Sequence, residues 1–250
     1  MELIISSVTH RCGSTMLQRI FNARKQTLIW GEHYGSLTKF AEVYNGLISF
    51  AEKYTEQREN YFSSNKNTNN WIACMTPGAE FAQKAVINST KVFFQEYYAQ
   101  HREKHDVIGF KEVRYGEHEL ELFRQCFPSA IMILLVRHPV SVWKSAYGTK
   151  WYESRIGNLD FFIKEWNQNA SFYKNLSKNK NVYLLKYEDI VSQNSDTINL
   201  ISELAQLTKR QVEDVLTEKI YSTKCDVLPK GHENLVRTKC KEVMNQYHYI

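Results

Sequence analysis

Apolar positions along the chain follow two alternating patterns. Short aliphatic runs, typical of strands buried in a parallel sheet, are separated by longer stretches in which apolar residues recur every three or four positions, as in amphipathic helices. The runs predict strands at residues 2–8, 27–30, 107–111, 130–136 and 182–186. The longer stretches predict helices at residues 14–22, 36–53, 79–100, 117–126, 159–176 and, for the most part, 196–218. This alternation predicts an α/β fold in which helices flank a mainly parallel sheet, with right-handed crossovers.

One stretch of the chain lacks either pattern. Residues 56–70 show no apolar periodicity and contain Asn65-Lys-Asn-Thr-Asn-Asn70, so we expect a loop there. We assign it to a loop or lid insertion over residues 54–77, and because long loops in compact domains often bind ligands, we expect it to border the acceptor site or to be disordered without acceptor. No linker or repeat is visible, and we therefore predict one domain over residues 1–250.

The fourth predicted strand ends on Arg137, and Pro139 suits the first position of the helix that follows. Ligands of open α/β sheets bind beyond the carboxyl ends of the strands, which is where this arginine would lie. Ser141 and Ser145 share one face of the helix, so a hydroxyl could reach the phosphate that the guanidinium binds. The stretch thus predicts a phosphate clamp made by Arg137 and Ser145.

A second anion site is predicted near the amino terminus, where Thr9-His-Arg-Cys-Gly13 joins a strand to a helix that opens with Ser14 and Thr15. A short glycine-containing loop and a helix amino terminus direct several backbone N–H groups at one point, as a phosphate requires. The loop is not a Walker A motif, because no lysine follows Gly13. Lys111 closes the third strand at the same edge of the sheet, and Arg114 is a candidate for the same role.

Taken in order, four motifs resemble those of the sulfotransferases that use 3′-phosphoadenosine 5′-phosphosulfate (PAPS). The loop Arg11-Cys-Gly-Ser-Thr15 resembles their 5′-phosphosulfate loop, and Arg137 with Ser145 resembles their 3′-phosphate clamp. Leu185-Lys-Tyr-Glu-Asp-Ile190 resembles an element whose tyrosine lies near the adenine, and Lys230-Gly231 resembles a loop that closes over the 3′-phosphate. The resemblance runs from about residue 3 to residue 231 and implies the family's P-loop-NTPase-like fold. The cofactor-binding residues that it implies are Arg11, Cys12, Gly13, Ser14, Thr15, Met16, Arg137, Ser145, Tyr187, Lys230 and Gly231.

The chain departs from the family's cytosolic aryl branch. That branch usually has lysine where Arg11 stands, arginine where Pro229 stands, and a lysine-x-histidine where Lys111-Glu-Val113 stands, so its histidine base is missing here. The stretch Thr27-Leu-Ile-Trp-Gly-Glu32 instead resembles the tyrosylprotein branch, which has a glutamate after its second strand. We therefore take Glu32 as the general base, with His33 and Glu112 in reserve. The resemblance is to a soluble, bacterial-type small-molecule sulfotransferase.

The activity that this resemblance implies is in-line transfer of a sulfuryl group from PAPS to a hydroxyl or amine of an organic small molecule, which leaves adenosine 3′,5′-bisphosphate (PAP). A secondary metabolite is one candidate acceptor. Such transfer depends on positioning and on charge neutralisation, for which Arg11 and Lys111 are the expected side chains, and it needs no metal. Two alternatives stay open, namely a P-loop-like small-molecule kinase and a non-catalytic protein that binds a 3′-phosphonucleotide.

Composition narrows these expectations only slightly. The 32 basic and 27 acidic side chains give a net charge of +5, which suits an anionic cofactor, but no basic run indicates nucleic acid. The 5 cysteines lack CxxC spacing and predict reduced thiols, and the spacing of the histidines fits no usual metal site. No signal peptide or apolar run of about 20 residues is visible, so we expect a cytoplasmic monomer or homodimer without membrane contact.

Overall fold

The computed structural model describes residues 1–149, 157–218 and 228–249. Within these ranges the strands are β1 (Leu3–Ser7), β2 (Thr27–Trp30), β3 (Val107–Glu112), β4 (Ile131–Val136) and β5 (Val182–Lys186). They form one parallel sheet of 5 strands in the order β2-β3-β1-β4-β5. The prediction of an α/β fold with a parallel sheet is confirmed.

The register of the sheet brings three strand ends together. Ser6 of β1 lies opposite Glu112 of β3 and Leu134 of β4, so the chain leaves all three strands at the same edge. Every residue of β1 is buried, as expected for the central strand of a sheet that helices flank. We call this edge, at which β1, β3 and β4 end, the carboxyl edge.

The helices match the apolar periodicity closely. In the first of them Leu17, Ile20 and Phe21 form the buried face, and Pro139 occupies the amino-terminal turn of another, as predicted. The described helices are α1 (Ser14–Asn22), α2 (Ser36–Lys53), α3 (Thr55–Ser63), α4 (Ala79–Tyr97), α5 (Glu117–Cys126), α6 (Pro139–Tyr147), α7 (Leu159–Leu176), α8 (Tyr187–Val191), α9 (Ser195–Ala205), α10 (Lys209–Thr217) and α11 (His232–Gln246). A short 3₁₀ turn covers Arg102–Lys104.

The chain divides into two compact units. One unit contains all five described strands and comprises Met1–Tyr34, Gln100–Glu117 and Ser129–Ile250. The other comprises Gly35–Ala99 and His118–Pro128, and in it α2 packs along α4 through aromatic contacts of Phe40 with Phe93 and Phe94. Compact units defined by contacts need not fold separately, so the single domain over residues 1–250 stays a prediction.

The expected loop over residues 54–77 is wrong in its first part, because α3 covers Thr55–Ser63. This helix buries none of its residues, so it has no apolar face for a periodicity search to detect. Residues 64–78 contain neither helix nor strand, as expected, and their role as a lid stays a prediction.

Two further helices, besides α3, were not predicted. The short α8 begins at Tyr187 directly after β5, and α11 follows Gly231. The sequence does carry a signal for α11, because Val236, Cys240, Val243 and Met244 are buried at helical spacing.

Candidate active site

The loop between β1 and α1 has the backbone of an anion-binding site. Arg11 and Gly13 adopt positive φ angles of 67° and 97°. Gly13 is the N-cap of α1, and its carbonyl accepts hydrogen bonds from the backbone N–H groups of Met16 and Leu17. No side chain caps the helix, so its first N–H groups, including those of the buried Ser14 and the exposed Thr15, are available to a ligand.

Tyr187 packs directly against this loop. A Cβ atom added to Gly13 would lie 2.5 Å from Cδ2 and 2.7 Å from Cε2 of the tyrosine ring. Gly13 is therefore required both by its φ angle and by the space that the ring occupies. The contact places the first residue of α8 beside the loop that follows β1, on the carboxyl edge.

Arg11, Arg137 and Ser145 form one network. The Nε–H of Arg11 donates to Oγ of Ser145 at 3.1 Å, and an N–H of Arg137 donates to the backbone carbonyl of Arg11 at 2.9 Å. The predicted clamp residues thus meet through Arg11, since Ser145 contacts Arg11 and no direct hydrogen bond between Arg137 and Ser145 is seen. Burial and the charge of Arg137 both lower the pKa of Arg11, while Tyr187 opposes them.

Arg137 is half-buried and stacks on Tyr187. Its guanidinium carbon lies 4.1 Å from the centre of the Tyr187 ring. In the described part of the chain its Nε is buried without a hydrogen-bond partner, and it takes part in no ion pair. A half-buried guanidinium next to a second one is costly unless an anion binds there. An anion bound between Arg11 and Arg137 would offset this cost.

The predicted Lys230-Gly231 element lies at the amino end of α11, where Gly231 is the N-cap with φ 89°. Two contacts tie this end to α6. The indole N–H of Trp143 donates to Nδ1 of His232 at 3.2 Å, and Lys144 pairs with Glu233 at 2.9 Å. These contacts join the start of α11 to the part of α6 that directly precedes Ser145, and the side chain of Lys230 is exposed.

Glu32, two residues after β2, pairs with two cations. Its Oε1 accepts a hydrogen bond from Nζ of the buried Lys111, and its Oε2 accepts one from Arg114 at 3.1 Å. Burial alone would raise the pKa of Glu32. The hydrogen bond with Lys111 and the charges of Lys111, His10 and Arg114 outweigh it, so the pKa lies below its ordinary value. Glu32 is therefore a carboxylate at neutral pH, held in a fixed orientation.

The two reserve bases are less accessible. His33 is buried, its Nε2 lies 3.0 Å from the hydroxyl of Tyr115, and burial lowers the pKa of the imidazole to about 4. Glu112 is completely buried, where one oxygen accepts the backbone N–H of Val113 and lies 3.7 Å from Arg114. Both positions favour Glu32 as the carboxylate that an acceptor could reach.

One supporting contact was missed at the level of sequence. Glu188, next to Tyr187, accepts the backbone N–H of His138 at 2.9 Å and the hydroxyl of Tyr249 at 2.8 Å. It thereby ties α8 to the start of α6, and Tyr249 supports it from the carboxyl-terminal segment. No sequence signal identifies Tyr249, because the contact spans 61 positions of the chain.

The described residues give no support to a metal site, a disulfide or a membrane span. They contain no group of three or more His, Cys, Asp or Glu side chains that could hold a metal ion. The cysteines in these ranges, Cys12, Cys74, Cys126 and Cys240, are free thiols, and Cys225 lies outside them. None of the helices in these ranges has the length and apolar character of a membrane span.

Comparison with known proteins identifies the family. The sulfotransferase family model matches residues 8–211, which is well over half of the chain, and the chain therefore belongs to the sulfotransferase family. Family membership implies a sulfo-donor nucleotide as cofactor and sulfotransferase activity. A search of curated proteins found no significant match.

Solved structures agree with this fold. The sulfotransferase domain from the Synechococcus PCC 7002 olefin synthase has a TM-score of 0.55 and 14% identity, with 100% of this chain and 95% of that chain covered. Sulfotransferase STF9 from Mycobacterium avium has a TM-score of 0.53 and 11% identity, with 98% and 76% covered. At such identities the likeness shows the fold alone.

Proposed function

We propose that the protein transfers a sulfuryl group from PAPS to a hydroxyl or amine of an organic small molecule, for which a secondary metabolite is one candidate. One observation carries the proposal. Arg137, half-buried and without an acidic partner among the described residues, lies beside Arg11 and the uncapped start of α1. Together, these residues would bind two anionic groups of one ligand, one at the loop of residues 9–13 and one at the clamp. PAPS carries two such groups.

The residues present fit such a nucleotide. Arg11, the backbone of residues 12–16 and the start of α1 would hold its 5′-phosphosulfate end. Arg137 and Ser145 would hold the 3′-phosphate, together with Lys230 and Gly231, and Tyr187 would lie near the adenine. When bound, PAPS supplies an activated sulfuryl group. The proposal assigns no residue as a metal ligand.

Glu32 is proposed as the general base. It is ionised at neutral pH, and Lys111 and Arg114 fix its carboxylate at the carboxyl edge. An acceptor hydroxyl that donates a hydrogen bond to Glu32 would lose its proton to this carboxylate during transfer. Lys111 and Arg114 also add positive charge to the edge at which negative charge develops. A cytoplasmic location and a monomeric or homodimeric state remain part of the proposal.

The test is ligand-dependent thermal stability. PAP should raise the melting temperature, because at a concentration of 100 times its Kd it should stabilise the folded protein by about 2.7 kcal/mol. AMP and ATP should have little effect. Arg137→Ala should cost about 2–5 kcal/mol of PAP binding because it removes the partner of a buried phosphate. Arg102→Ala is the matched control, since Arg102 pairs with Glu2 on the surface and such pairs contribute little.

Two outcomes would contradict the proposal. Equal stabilisation by AMP and PAP would contradict the assignment of Arg137 and Ser145 as a clamp for the 3′-phosphate. Phosphate transfer from ATP in the presence of magnesium would favour a kinase. The direct assay is incubation of the protein and labelled PAPS with an extract of the source organism. If the protein bound PAP but no labelled product formed, a binding protein would be favoured over an enzyme.

A further inference from the structure

Glu165 lies in the first half of α7. It is half-buried, and within the described ranges it makes no hydrogen bond and no ion pair. Burial raises the pKa of this carboxyl to about 7. The other carboxylates near the site differ, because Glu32 and Glu112 have cationic neighbours and Glu188 accepts two hydrogen bonds.

Three contacts of α7 fix where Glu165 lies. The hydroxyl of Tyr173 bonds to Oγ of Ser6 inside β1 at 2.7 Å, and one turn earlier Asn169 donates to the carbonyl of Val8 at 2.9 Å. Followed towards its amino end, α7 therefore runs from a point beside β1 to a point beyond the carboxyl end of that strand. The indole N–H of Trp166, next to Glu165, donates to the backbone carbonyl of Arg137 at 3.0 Å. Because Arg137 directly follows β4, this turn of α7 lies at the end of β4.

Glu165 continues this series. Tyr173, Asn169 and Glu165 are spaced four residues apart on one helical face, and four residues correspond to a rise of about 6 Å. Glu165 therefore lies about one turn beyond the contact between Asn169 and Val8. That position is past the end of β1, at the carboxyl edge, where the loop of residues 9–13 also begins.

We propose that Glu165 forms part of the acceptor site and binds a cationic group of the acceptor, an ammonium or a guanidinium. The inference rests on the proposed function. A desolvated carboxylate is costly without a counter-charge, and a cationic ligand would supply the charge that no described side chain provides. The cations Arg11, Lys111, Arg114 and Arg137 repel such a group from the rest of the edge, so its position would be fixed at Glu165.

The experiment uses three phenols with the same ring and different charges. Tyramine carries an ammonium, p-cresol is neutral and 4-hydroxyphenylacetate carries a carboxylate. Each is titrated calorimetrically into the protein saturated with PAP, above pH 7 so that Glu165 is mostly ionised. We expect tyramine to bind at least about tenfold more tightly than p-cresol, and 4-hydroxyphenylacetate to bind most weakly.

Glu165→Gln should abolish the preference for tyramine and leave the affinity for PAP unchanged. Asp160→Asn is the matched control, because it removes an exposed acidic group from the same helix and should retain the preference. Equal affinities for tyramine and p-cresol, no binding of tyramine up to its solubility limit, or a preference that survives in Glu165→Gln would each overturn the inference. Failure of the unaltered protein to bind PAP would instead refute the proposed function on which it rests.

Discussion

Substitution of Gly13 by alanine tests the loop at the centre of the candidate site. The backbone there has φ 97°, a conformation that costs an alanine about 1–2 kcal/mol. The new Cβ would also lie 2.5 Å from Cδ2 of Tyr187, whereas carbon atoms normally pack at about 3.5–4.0 Å. The ring would have to move away by about 1 Å to restore a normal carbon–carbon contact distance.

Movement of the Tyr187 ring has two further costs. A side chain forced away from its rotamer loses about 0.5–1.5 kcal/mol. The contact between the ring and the Arg137 guanidinium, 4.1 Å from the ring centre, contributes about 0.5–2 kcal/mol. Together with the cost of the backbone conformation, these two costs predict that Gly13→Ala lowers the free energy of unfolding by about 2–5 kcal/mol. Because Arg137 loses its support, the affinity for PAP should fall at least about tenfold.

Two other glycines separate these contributions. Gly231 has φ 89° but no atom within 4 Å of an added Cβ, so Gly231→Ala should cost only the backbone term of about 1–2 kcal/mol. Gly46, inside α2, has no neighbour within 4 Å and no positive φ, and Gly46→Ala should stabilise by about 0.5–1 kcal/mol. Denaturant unfolding and calorimetric titration with PAP measure both quantities. Equal destabilisation by Gly13→Ala and Gly231→Ala would refute the packing of Tyr187 on Gly13, and unchanged PAP affinity in Gly13→Ala would refute its place in the cofactor site.

Two predictions concern the base. Glu32→Gln keeps the shape of the side chain but cannot accept a proton, so kcat for sulfation should fall by about 10²–10⁴-fold with unchanged PAP affinity; near-normal turnover would move the base to His33 or Glu112. Lys111→Met removes the hydrogen bond that lowers the pKa of Glu32. Because a base is active when deprotonated, activity is lost as pH falls through this pKa, which in the unaltered protein lies below the ordinary value of a glutamate. The acidic limb of the kcat profile should therefore move to higher pH in Lys111→Met, and an unmoved limb would show that another group titrates.

The elements of the fold were readable from the sequence because their signals are local. The strand from Thr27 to Trp30 and the helices Ser14–Asn22 and Leu159–Leu176 have the predicted bounds, since each buries one face or a whole run of apolar side chains. The exceptions follow the same logic. Thr55–Ser63 forms a helix that buries nothing, so its residues carry no periodicity that could predict it.

For the site, the sequence determined which residues lie at the carboxyl edge. Parallel strands end at a common edge, and so Arg11, Lys111 and Arg137, which follow or close strands, had to lie there together. Motif order along the chain also identified Tyr187 and Lys230-Gly231 as candidates. Neither inference needed a distance between side chains.

Only the tertiary structure decided which of these residues contact one another. It pairs Ser145 with Arg11, places the Tyr187 ring against Gly13 and ties Glu32 to Lys111 and Arg114. It also leaves Glu165 half-buried, with no ion-pair partner among the described residues. The contact between Arg11 and Ser145 joins positions 134 residues apart. Strand order and the packing of helices set such contacts, whereas the periodicity of a sequence reports only whether a residue is buried in its own element.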